Sequence, residues 1–111
     1  MKNHQKTLEE AVKVNGVPYQ LDMVIEEAAE LIQAINKAKR AGIVTTWGIK
    51  PPTEESSMAE IEAYNNLCAE TADLKVVTQY LEMFLDHERI QISFDRKMKR
   101  LEERLSKLKS A

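Results

Sequence analysis

The sequence predicts an all-α protein of the four-helix-bundle type, with a short first helix and three longer ones. Three observations carry this. All three glycines and all three prolines fall before residue 53, so the second half of the chain is free of the strongest helix breakers. Apolar residues recur at steps of three and four in both halves. Thr7 and Ser57 are each followed three residues later by a glutamate, the pattern of a capping box at a helix start. At 111 residues the chain fits one domain, 1–111. A domain of this size buries a modest share of its surface, which makes self-association a natural way to bury more.

In chain order, the capping pattern at Thr7 to Glu10 predicts a short first helix that ends at Asn15 and Gly16. Pro18 suits the first turn of a second helix running from about Pro18 to Arg40. Its apolar stripe is Leu21, Val24, Ile25, Ala28, Leu31, Ile32 and Ile35, and Gly42 stops it. Residues 42–56, "GIVTTWGIKPPTEES", read as a long structureless loop holding the only Trp, a kind of connection that is more often functional or mobile than idle. Ser57 and Glu60 then open a third helix of about thirty residues. A fourth starts near Glu88, with Phe94, Met98, Leu101, Leu105 and Leu108 at alternating steps of four and three. Asp86 is a candidate cap, but no Gly or Pro separates the third and fourth helices, which leaves a single kinked rod as the alternative.

A net charge of −2 gives no electrostatic reason to hold nucleic acid or an anionic membrane. The locally basic "RKMKRLEERLSKLKS" suits either an anionic ligand or a solvated helix face. One cysteine, Cys68, makes no internal disulfide, and no apolar run is long enough to cross a membrane. "MKNHQKTLEEAV" lacks the apolar core of a signal peptide. The expectation is a soluble protein of a reducing compartment, the cytoplasm.

Against this ordinary background the carboxylates stand out. Glu26, Glu27 and Glu30 crowd "EEAAE", and neither Glu27 nor Glu30 has a lysine or arginine three or four positions away, where helical ion pairs form. At about 100° per residue Glu27 lies on the flank of the apolar stripe and Glu26 nearer to solvent. On the third helix, Glu70 and Asp73 of "NNLCAETADLKVV" fall inside the arc of Ala63, Leu67, Leu74, Val77, Leu81 and Phe84, opposite Lys75, Gln79 and Glu82. A carboxylate removed from water takes up a proton or finds a positive partner. Any one such pair is more often a solvated acidic face than a ligand set. Two unpaired pairs on two helices ask for a shared partner, and a hard divalent cation such as Mg²⁺ is the natural one. A di-iron site wants Glu-x-x-His pairs, whereas the residues three before His4 and His87 are Met1 and Phe84. The pattern by itself reaches a metal site of unassigned chemistry.

"EEAAE" at Glu26 to Glu30, followed by "ETAD" at Glu70 to Asp73, resembles the EExxE…ExxD signature of the MazG-like all-α nucleoside triphosphate pyrophosphohydrolases. The contexts "VIEEAAELIQAINKAK" and "NNLCAETADLKVV" extend the resemblance over about Gln20 to Leu85, and "DRKMKRLEERL" looks like the family's basic carboxy-terminal segment. The resemblance implies a hydrolase that cleaves a nucleoside triphosphate between its α and β phosphates, with Mg²⁺ as cofactor and Mn²⁺ as its substitute. Glu27, Glu30, Glu70 and Asp73 would be the metal ligands, and Glu26 an outer carboxylate that orients ligands or accepts the attacking water's proton. Asn66 matches a position where the family often has Asn, though a local hydrogen bond explains it equally. Lys97 and Arg100 would contact phosphate, against the plain alternative of a solvated helix. Trp47 would stack on a nucleobase, or else plug a core or subunit contact. A homodimer or dimer of dimers is implied, with Phe94 to Leu108 as a contact stripe. The loop around Trp47 lengthens the gap between the two motifs, so the choice among broad NTP or dNTP hydrolysis, dUTP or dCTP specificity and phosphoribosyl-ATP hydrolysis stays open. The competing class is a non-catalytic helical oligomerisation or regulatory module.

Overall fold

The computed structural model describes residues 4–110. It contains α1 (His4–Asn15), α2 (Val17–Arg40), α3 (Met58–Phe84) and α4 (His87–Ser110). The class is all-α, of the four-helix type that the sequence predicts. The chain divides into two compact units, one up to Tyr80 and one from Leu81 onward. No helix among the described residues is long and apolar enough to cross a membrane.

In the first unit, α1 begins at His4, so Thr7 lies inside the helix and does not cap it. The extra turn is supported by Gln5, whose side-chain amide donates to the Glu9 carboxylate at 3.3 Å, one turn on. Gly16 ends α1 with its N–H on the Val12 carbonyl at 2.7 Å, and its φ of 85° is open to glycine without a Cβ penalty. The Pro18 ring then sits in the opening turn of α2. α1 and α2 are tied by Leu8, which is buried, and by the buried Gln20, whose amide donates to the Ala11 carbonyl at 3.4 Å.

At its far end α2 closes in a Schellman motif. Gly42, at φ 76°, donates to Lys39 at 3.1 Å and Ile43 donates to Ala38 at 3.3 Å, which satisfies two carbonyls the helix leaves open. The Ile43 side chain is thereby delivered to a small core with Ala38 and Ala63, flanked by Tyr64 and Leu67. Ala38 and Ala63 meet in this core while Glu27 and Glu30 of α2 lie beside Glu70 and Asp73 of α3, so the two helices run antiparallel.

Residues 42–56 are more ordered than the sequence suggests. Val44 and Ile49 form an antiparallel bridge, the Lys50 N–H reaches the Ile43 carbonyl at 2.8 Å, and Thr45 and Gly48 close a turn. The Thr45 hydroxyl accepts from the N–H groups of Trp47 and Gly48 while donating to the Gly48 carbonyl. A threonine side chain thus substitutes for the regular ladder that this stretch lacks. The capping box at the start of α3 forms as predicted, with Ser57 N–H on the Glu60 carboxylate at 2.8 Å and Glu60 N–H on the Ser57 hydroxyl at 3.2 Å. Those bonds from Ser57, backbone first, hold the Glu60 carboxyl below its ordinary range.

The apolar stripe assigned to α2 is buried only along one edge, where Val24, Ala28 and Leu31 are half-buried. Leu21, Ile25, Ile32 and Ile35 are exposed, Ile25 at 68% and Ile32 at 60%, whereas Gln20, Ala34 and Ala38 are buried. The buried edge is the one that carries Ala38 into the cluster with Ile43 and Ala63. On α3 the arc is closer to expectation, with Ala63, Val77 and Tyr80 buried.

The second unit holds the last turn of α3 and all of α4. The two helices are separate. Asp86 caps α4 by accepting from the N–H groups of Glu88 at 2.9 Å and Arg89 at 3.3 Å, and the Arg89 guanidinium lies 3.8 Å from its other oxygen. No residue of α4 is buried, and Phe94, Met98, Leu101, Leu105 and Leu108 are exposed along it.

Candidate metal centre

Rotation of α2 toward its alanine face has a direct consequence for the acids. Glu27 lies seven residues before the buried Ala34 and Glu30 lies four before it, so both share its face and turn toward α3. Antiparallel packing then meets them with Glu70 and Asp73, which lie seven and ten residues after Ala63 on the facing helix. One carboxylate oxygen from each of Glu27, Glu30, Glu70 and Asp73 lies within 4.8 Å of the others. The first three are half-buried and Asp73 sits at the exposed rim.

Two of the oxygens lack any partner. Oε2 of Glu27 and Oε2 of Glu70 are shielded from solvent and accept no hydrogen bond. Desolvation, followed by the charges of Glu30, Asp73 and Glu70 and a hydrogen bond with Glu30, holds the Glu27 carboxyl above its ordinary range. Glu70 is raised in the same direction by desolvation first, then by a hydrogen bond with Glu30 and by the charges of Glu30 and Asp73. Proton sharing relieves part of this repulsion, but the two shielded oxygens still have no partner. An all-oxygen, all-carboxylate donor set without histidine or cysteine fits a hard divalent cation and no soft metal.

The remaining candidates occupy different places. Glu26 is exposed and outside the four-acid cluster. Asn66 is half-buried, one turn before Glu70, and lines a cleft of about 590 Å³ with Lys37, Arg40 and Glu62. Sequence reasoning missed that cleft. Its available signal was "NKAKR" at the end of α2, where Lys37 follows Glu30 by two turns on one face. Trp47 does not plug a core; it is 95% exposed on the turn pinned by Thr45. Lys97 and Arg100 are exposed on α4 in the second unit.

Comparison of the chain with protein-family models, with curated proteins and with solved structures finds no match in any of the three.

Proposed function

We propose that this chain is a Mg²⁺-dependent nucleotide pyrophosphohydrolase of the MazG-like kind, converting NTPs or dNTPs to the monophosphate and pyrophosphate. The observation that carries the reading is the convergence of Glu27, Glu30, Glu70 and Asp73 from two antiparallel helices, with two buried oxygens left without partners. These four side chains would hold Mg²⁺, or Mn²⁺ in its place. When bound, the ion supplies neutralisation of phosphate charge and acidification of a water molecule.

The chain's own part is to position the reactants and accept the proton. A water oxygen forms a bond to the α-phosphorus, the bond from that phosphorus to the bridging oxygen of the β-phosphate breaks, and pyrophosphate leaves with the electron pair. The released proton needs an acceptor, and Glu26, in solvent beside Glu27, is the carboxylate assigned to it. The Asn66 amide offers donors and an acceptor one turn from Glu70. Trp47 presents an exposed indole face for a nucleobase. The exposed isoleucines of α2 and the Phe94 to Leu108 stripe support a homodimer or dimer of dimers, working in the cytoplasm on nucleotide pools.

The test is incubation of the purified protein with Mg²⁺ and a panel of NTPs, dNTPs and phosphoribosyl-ATP, with separation of products. Monophosphate plus pyrophosphate is expected. Diphosphate plus orthophosphate, or no turnover on any member, contradicts the proposal.

A further inference from the structure

The cleft that Asn66 lines contains two cations that the four-acid centre does not use. Lys37 lies seven residues beyond Glu30 on α2, a helical rise of about 10 Å, and Arg40 lies one turn further. Both lie on the carboxy-terminal side of the acids, with Asn66 of α3 lining the same cleft. Among the described residues no hydrogen bond or ion pair occupies either head group. The floor is built of Ala41, Ala59 and Ala63, whose methyl groups leave the volume open. Glu62 is the cleft's carboxylate, placed on the α3 side.

A centre of four carboxylates repels a polyphosphate everywhere except at a cation. A substrate chain that leaves that centre on the side of Asn66 runs toward the cleft holding Lys37 and Arg40. Arg40 presents the planar fork that suits two phosphate oxygens at once, and Lys37 a point charge.

We propose that Lys37 and Arg40 form a second, anion-binding subsite that grips the pyrophosphate end of a nucleoside triphosphate, the leaving group, while the carboxylate centre serves the α-phosphate. This rests on the nucleotide hydrolase reading for its substrate, but the subsite binds without metal and is measured without turnover.

Inorganic pyrophosphate is titrated into the full chain in EDTA-containing buffer by calorimetry or ³¹P NMR. Wild type is expected to bind it, and the exposed pair Lys37→Ala/Arg40→Ala to bind at least about tenfold more weakly, a loss of about 1.4 kcal/mol. Glu70→Gln is expected to keep or increase the affinity, because it only removes negative charge. Absent binding by wild type, or equal binding by the double variant, overturns the subsite. Pyrophosphate binding without turnover on any nucleotide supports the subsite and counts against the hydrolase reading alone; turnover without pyrophosphate binding does the reverse.

Discussion

Glu70→Gln is expected to lower nucleotide turnover by on the order of 10³-fold, the scale on which removal of a single preorganised electrostatic group acts at a reacting centre. The amide keeps the shape of the carboxyl but cannot supply the fourth negative charge. Its effect on folding runs the other way. Glu70 Oε2 is buried without a partner and its carboxyl is crowded by Glu30 and Asp73. Removing a like charge from that cluster relieves repulsion, so the metal-free variant is expected to unfold at the same temperature as wild type or higher. Helical circular dichroism and a thermal melt, run beside the activity assay, separate the two effects. Loss of activity together with loss of fold would assign Glu70 a structural role instead.

The second large effect is a pH dependence of the metal-free protein. Glu27 and Glu70 both have carboxyls raised in the folded state, by desolvation first. A carboxyl raised on folding favours the folded state while protonated, so its stability is fully present below the unfolded-state value, near 4.3. It is lost as pH rises through the folded-state value. Wild type in EDTA should therefore be more stable at mildly acidic than at neutral pH. Glu60 works in the opposite sense, because Ser57 lowers it and its contribution is lost as pH falls. Glu60 is unchanged in Glu70→Gln, so the difference between the two proteins across a pH series of urea melts isolates the acidic cluster. The difference should grow from acid to neutral pH; a constant difference would show that the Glu70 charge is not coupled to folding.

The helical class and most boundaries were legible in the sequence because their causes are local. Ser57 with Glu60, the Gly16 turn, Pro18 and Gly42 each act within a few residues, and each is found where it was expected. Thr7 shows the limit of such signals, since a capping pattern does not prevent a helix from starting a turn earlier. The four acids were legible as a set because their missing partners are also a local property. What could not be read was which face of α2 packs. Periodicity found Val24, Ala28 and Leu31, which are half-buried, but included Ile25 and Ile32, which are exposed, and left out Ala34 and Ala38, because single-helix patterning does not contain the position of the facing helix. The same offset turns Glu27, expected on the flank of the stripe, toward Glu70 and Asp73. The ordered turn around Trp47 depends on three bonds made by one threonine hydroxyl, and Lys37 and Arg40 become a cleft only when α3 lies opposite them.

Binding of a divalent cation by Glu27, Glu30, Glu70 and Asp73 is the property on which the proposed activity depends. Calorimetric titration of Mg²⁺ into metal-free wild type and into Asp73→Asn tests this without any assumed substrate. Saturable binding is expected for wild type, with a heat that depends on the buffer in mildly acidic solution as Glu27 and Glu70 give up protons, and with at least about tenfold weaker binding for Asp73→Asn. No saturable binding by wild type, or the same affinity in both proteins, would contradict it.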